Sequence, residues 1–232
     1  MEASNRLVRI LCLHGHEQNA QLFRQRTGSL RKALKNTAEL IYIDAPHQSS
    51  TPTLRTWWLR PCGPQVYEGW EESRKRIQES LQEHAPIDIL LGFSQGAAAA
   101  ALYLVQQQHT EALSAPAEAA VQSLISIAGF IPRDERYREV FYSTQRDLEL
   151  HSCHIYGDMD DIITPEQSRE LSQAMAAMDP TSDVVVCSHS GGHMVPTLRK
   201  GDTSSYDGDD EDMRRVVVLS QTVKDFVRRR LH

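Results

Sequence analysis

No apolar run in this sequence is long enough to cross a bilayer. The opening residues, MEASNRLVRILCLHG, carry an acid at position 2 and offer no small-residue cleavage site after their short apolar stretch. Neither a secretory leader nor stable membrane insertion is expected. Positive charge is also short: 25 Lys and Arg against 31 Asp and Glu leave a net charge of −6, without the clustered basic surface that nucleic acid or an anionic membrane requires. Cysteine is scarce and unpaired in pattern. Cys12, Cys62, Cys153 and Cys187 form no C-x-x-C motif, and Cys12, Cys153 and Cys187 sit inside apolar runs, where a free thiol packs as a small hydrophobe. That usage suits a reducing, cytoplasmic location. Gly-x-Gly-x-x-Gly and Walker-type strings are missing, so no nucleotide cofactor is implied, and no internal repeat is found.

What is present is ordinary globular composition, 40% apolar and 24% charged over 232 residues, which predicts one domain spanning 1–232 with a substantial core. Short apolar runs alternate with longer segments of helical period, the pattern of βα units feeding a mostly parallel, doubly wound sheet. Strands are expected at Leu7 to His14, Leu40 to Ala45, Ile87 to Phe93, Val121 to Ala128, His151 to Tyr156 and Val184 to Cys187. Helices are expected at Gln21 to Leu34, Trp70 to His84, Gln95 to Gln108, Glu166 to Met178 and Arg214 to Leu231. In the last, Val216, Leu219, Val223, Phe226 and Leu231 recur at near-helical spacing. Thr164, Pro165 and Gln167 spell a capped helix start, with Thr164 and Gln167 as a capping box. Two segments read as irregular: Thr110 to Glu118, and the acidic stretch Lys200 to Asp212, a mobile surface insertion on its composition.

The strongest local signal is Gly92-Phe93-Ser94-Gln95-Gly96, between the apolar run IDILL and the small-residue segment QGAAAAALYL. A strand turning sharply into a helix, with side-chain-free flanks, exposes a serine hydroxyl in a strained conformation; this is the nucleophile elbow of α/β-hydrolases. A serine hydroxyl needs a base within hydrogen-bond reach, and the base needs an orienting carboxylate. Downstream, in the chain order such folds use, come Gly157-Asp158-Met159-Asp160-Asp161 after one strand and His189-Ser190-Gly191-Gly192-His193 after the next. His193 follows two glycines that permit a tight loop aimed at the elbow, whereas His189 continues a strand. Among the aspartates, Asp158 could cap the turn and Asp161 could set the helix entry, so the residues alone leave the acid open between them and Asp160. The first βα loop, His14-Gly15-His16-Glu17-Gln18-Asn19, supplies one oxyanion-binding backbone N–H, assigned to His16; the other is that of Gln95. His14-x-His16 matches no standard zinc spacing, and no metal is expected. Trp57, Trp58 and Tyr67 fall where they could overhang the site as a substrate pocket.

The strings LCLHGHEQNAQLFRQRTGSLRKALK, LIYIDAPH, RTWW, GWEES, LLGFSQGAAAAALY, IYGDMDD and HSGGHMVP, in this order, resemble the FSH family of serine hydrolases, over roughly residues 6 to 198. Acyl-protein thioesterases share only the elbow and the general order. The resemblance implies a compact α/β-hydrolase that cleaves carboxylic esters, often of alkyl chains, without metal or organic cofactor. By motif it implies Ser94, Asp160 within GDMDD and His193 within GGHMVP as a triad. Two departures bear on substrate preference: His16 stands where many members carry an aromatic, and DIITP at 161–165 differs from the family's proline-containing loop. The expectation is a carboxylesterase with a small-molecule ester substrate; an acyl or acyl-protein thioesterase, or a ligand-binding scaffold without turnover, are the alternatives.

Overall fold

The computed structural model describes residues 6–61, 63, 65–111, 121–142, 150–178, 181–197, 219 and 221–231. The acidic stretch 200–212, Cys62, and most of 110–118 lie outside the described residues. Six strands, β1 (Val8–Leu13), β2 (Ala38–Ile43), β5 (Ile89–Phe93), β6 (Ser123–Ile127), β7 (His151–Gly157) and β8 (Val184–His189), form one parallel sheet in the order β2-β1-β5-β6-β7-β8. Each lies where an apolar run predicts it. Two-residue strands β3 (His47–Gln48) and β4 (Arg55–Thr56) make a separate antiparallel pair.

The sheet is covered on both faces, and alternate residues of a strand serve opposite faces. In β1, Leu11 and Leu13 enter one apolar layer while Val8, Ile10 and Cys12 enter the other; in β5, Leu90 is divided from Ile89, Leu91 and Phe93 in the same way. The first layer is closed by α3 (Trp70–Glu83), α4 (Gln95–Glu111) and α6 (Pro165–Met178), through residues such as Trp70, Ile77, Leu102, Leu171 and Met175. The second is closed by α1 (Ala20–Arg26), α2 (Gly28–Leu34) and the helical residues 221–228, through Phe23, Leu30, Leu34, Val223 and Phe226. Of the C-terminal helix expected from Arg214, the part before 219 lies outside the described residues. Among the described residues no helix is long and apolar enough to cross a membrane.

One expected helix is two. The periodic segment from Gln21 to Leu34 breaks at Thr27, whose hydroxyl donates to the Phe23 carbonyl at 2.9 Å and meets the Tyr42 hydroxyl at 2.6 Å. A threonine bonding back into its own helix, followed by glycine, competes with helix continuation. By contrast α6 starts as its capping box predicts. The Thr164 N–H donates to Gln167 Oε1 at 3.1 Å, the Gln167 N–H reaches Thr164 Oγ1 at 3.5 Å, and Pro165 takes the first helical position. A short helix α5 (Glu135–Arg138), capped by Asp134, was not legible from periodicity.

Candidate active site

Because the sheet is parallel, the loops after β1, β5, β7 and β8 open on one edge, and each carries one part of the site. At the end of β5 the chain reverses into α4 through Ser94, whose φ of +53° lies in the left-handed region that a side chain normally avoids. Close approach makes this turn possible. A Cβ on Gly92 would stand 2.3 Å from the Gly96 carbonyl oxygen, and one on Gly96 would stand 2.3 Å from the carbonyl oxygens of Leu13 and His14. The Ser94 N–H donates to Ile127 O at 2.9 Å, which locks the turn to β6.

His193 links Ser94 to Asp160. Its Nε2 lies 3.0 Å from Ser94 Oγ and its Nδ1 lies 2.8 Å from Asp160 Oδ2. The other carboxylate oxygen, Oδ1, accepts the N–H groups of Ile162 at 3.0 Å and Ile163 at 2.9 Å, so the acid is fixed from both sides. A carboxylate accepts; Nδ1 therefore carries the imidazole proton and Nε2 is left to accept the serine hydroxyl. The Phe93 ring packs against His193 with centroids 4.9 Å apart.

Of the three aspartates only Asp160 turns inward, with its side chain 0% exposed; Asp158 and Asp161 are exposed. His189 stays out of the line and instead accepts the Gly191 N–H on Nδ1 at 3.1 Å, shaping the turn that aims His193. The acid and histidine loops are stitched together: the Asp158 N–H donates to His189 O at 2.7 Å and the Met159 N–H to Gly191 O at 3.2 Å. Gly157 sits under this seam, where a Cβ would meet Gly191 O at 2.2 Å.

His16 and Gln95 flank the serine from the other side. Glu17 has φ +51°, so the chain turns sharply just after His16. Among the described residues neither the His16 nor the Gln95 backbone N–H donates a hydrogen bond, which leaves both available to a substrate oxygen. The Gln95 side chain, in contrast, is fully engaged. Its Oε1 accepts from Thr56 Oγ1 at 2.7 Å and from the Trp57 N–H at 3.0 Å, and its Nε2 donates to Trp58 O at 3.1 Å. His16 joins this network through Nδ1, 3.0 Å from Thr56 Oγ1. The single Thr56 hydroxyl proton goes to a carbonyl oxygen, Gln95 Oε1 or Trp58 O at 2.9 Å, so His16 Nδ1 must be the donor to Thr56. Burial, reinforced by Arg60 and opposed by Glu17, pushes the His16 imidazole below its usual range and keeps it neutral at neutral pH. His14 is structural: Nδ1 donates to Gly15 O at 2.8 Å and Nε2 accepts the Ala45 N–H at 3.1 Å, so neither ring nitrogen is left for a metal.

A cleft of about 350 Å³ opens over Ser94. Trp58 and Tyr67 stand in its wall and stack with centroids 4.6 Å apart, together with Phe130, Ile162 and Ile163. Trp57 corrects the expectation for the aromatic trio. It is fully buried, is absent from the cleft wall, and donates Nε1 to His14 O at 2.8 Å, so it braces the first loop instead. Thr56, missed in the sequence, is 1% exposed and sits at the centre of the polar network; its place within RTWW carried no signal of that role.

A family model described as serine hydrolase (FSH1) matches residues 3–204. Human esterase OVCA2 is 33% identical over 220 residues, covering 84% of this chain and 92% of its own length. Zebrafish (Danio rerio) esterase OVCA2 is 33% identical over 223 residues, covering 82% and 90%. Among solved structures, Zea mays acyl-protein thioesterase 2 superposes with a TM-score of 0.60 at 19% identity, covering 97% of this chain and 95% of its own, a likeness of fold. The extent of these matches identifies the chain as an α/β-hydrolase that belongs to the FSH1 family of serine hydrolases.

Proposed function

We propose that this chain is a serine carboxylesterase in which Ser94 is the nucleophile, His193 the general base and Asp160 the orienting acid. The observation that carries the reading is the unbroken line from Asp160 Oδ2 through His193 to Ser94 Oγ, at 2.8 and 3.0 Å. Ser94 Oγ attacks the ester carbonyl while its proton passes to His193 Nε2. The backbone N–H groups of His16 and Gln95 receive the oxyanion. Collapse of the tetrahedral species breaks the carbon–oxygen bond, and His193 returns the proton to the departing alcohol. Water, deprotonated by His193, then cleaves the acyl-enzyme and regenerates the Ser94 hydroxyl. Thioesters follow the same steps with a thiol as leaving group. The apolar wall of Trp58, Tyr67, Phe130 and Ile163 suits an alkyl or acyl chain. The free thiols of Cys12, Cys153 and Cys187 support a reducing compartment such as the cytoplasm.

Hydrolysis of p-nitrophenyl esters across acyl lengths, and of matched thioesters, by wild type and Ser94→Ala tests the reading. Turnover by wild type that vanishes in Ser94→Ala is expected; full turnover in the variant would overturn the choice of nucleophile.

A further inference from the structure

The polar side of the cleft is cationic. Arg26, Arg60 and Arg133 all line it, on α1, on the segment after Trp58 and on the loop after β6. Several arginines elsewhere are ion-paired: Arg6 with Asp88, Arg9 with Glu39, Arg136 with Asp134, Arg138 with Glu170, and Arg229 and Arg230 with Asp183. Among the described residues none of the three cleft arginines has a carboxylate partner. Arg133 instead lies over the Phe130 ring at 6.0 Å. Among the described residues the one carboxylate in the wall is Glu17, and Ser49 Oγ already donates to it at 3.0 Å. The arginines act on their surroundings. Arg60 helps hold His16 below its usual range, and Arg133 and Arg60 both oppose the rise that burial imposes on Tyr67. In a chain of net charge −6, this is a local reversal of sign around the nucleophile.

We infer that the substrate carries an anionic oxygen group, a carboxylate or phosphate, held by Arg26, Arg60 and Arg133 while its carbonyl lies at Ser94. This rests on the esterase reading above. Guanidinium groups suit such anions because their planar donors match two oxygens at once. Beside them, Trp58, Tyr67, Phe130, Ile162 and Ile163 offer apolar surface, so the substrate is amphiphilic: an apolar body with a charged end. The anion can belong to the acyl part or to the alcohol part, and the two arms of the test separate them.

In one arm, the aryl monoester of adipic acid is compared with the same ester whose free carboxylate is methylated. In the other, 4-acetoxybenzoate is compared with its methyl ester. In at least one arm the anionic member should show a kcat/KM about tenfold higher at low salt, mostly through KM. The advantage should shrink toward unity near 0.5 M salt, where the Debye length falls to roughly 4 Å. Arg26→Gln, Arg60→Gln and Arg133→Gln should each lower the anionic-to-neutral ratio about threefold, and Arg74→Gln on α3 should leave it as it is. Neutral esters cleaved as well as or better than anionic ones in both arms would overturn the inference and leave the esterase reading standing. Folded protein that cleaves none of the four would overturn both.

Discussion

The Gln95 side chain accepts the backbone N–H of Trp57 at 3.0 Å, so the residue that follows the serine is tied to the segment forming the cleft wall. In the proposed mechanism its backbone N–H serves the substrate oxygen, while its side chain is held by Thr56, Trp57 and Trp58. Gln95→Ala keeps the backbone donor but strands buried polar partners, at a cost of about 2 kcal/mol in stability. Under the proposed mechanism kcat should fall about tenfold, with KM changed less, because the donor is misplaced where charge develops in the transition state. Steady-state kinetics alongside urea unfolding check both halves.

Asp160→Asn probes the acid without removing its bulk. An amide oxygen can still accept the Ile162 and Ile163 N–H groups, so the fold should survive with a similar melting temperature. The amide nitrogen would then face His193 Nδ1 as a donor, reversing the tautomer and putting a proton on Nε2, where Ser94 needs an acceptor. A loss in kcat on the order of 10,000-fold is expected, the size seen when a triad acid becomes an amide. The same change at the exposed Asp158 or Asp161 should leave kcat within about twofold.

Glycine substitutions separate the elbow from ordinary turns. Gly92→Ala and Gly96→Ala each drive a methyl to 2.3 Å from backbone oxygen and should cost about 3 kcal/mol or prevent folding. Gly28, at the start of α2, has nothing within 4 Å of its added Cβ, and Gly28→Ala should be neutral or stabilising by about 0.5 kcal/mol. Chemical denaturation midpoints decide between these outcomes.

Stability should fall in acid partly through His154. It is fully buried in β7, and burial pushes its pKa down to about 3 from an ordinary 6.5. The folded state therefore cannot take the proton that the unfolded chain binds, and stability drops as pH falls below about 6.5, by up to 1.4 kcal/mol per pH unit, until about pH 3. His14 and His16, also pushed down by burial, act in the same direction. His154→Gln retains a partner for Ser152 and should flatten the pH dependence by about one proton; an unchanged slope would remove His154 from the explanation.

The sheet was legible because strands covered on both faces read as continuous apolar runs, and the elbow because Gly-x-Ser-x-Gly has meaning only between such a run and a helix. What sequence could not resolve were outcomes of tertiary contact. Asp160 is told from Asp158 and Asp161 by its burial and its bonds to His193, Ile162 and Ile163, which the folded loop decides. Trp57 and Trp58 are adjacent and both buried in the same core, yet only Trp58 borders the cleft. The strands β3 and β4 are too short for period to register, and Thr56 gains its role from Gln95, 39 residues away.

The most direct test of the central claim is intact-protein mass after exposure to a fluorophosphonate, with peptide mapping of the adduct. A single adduct on Ser94 is expected in the wild type, none in Ser94→Ala, and greatly slowed labelling in His193→Ala. Folded wild-type protein that stays unlabelled, or an adduct that persists in Ser94→Ala, would contradict it.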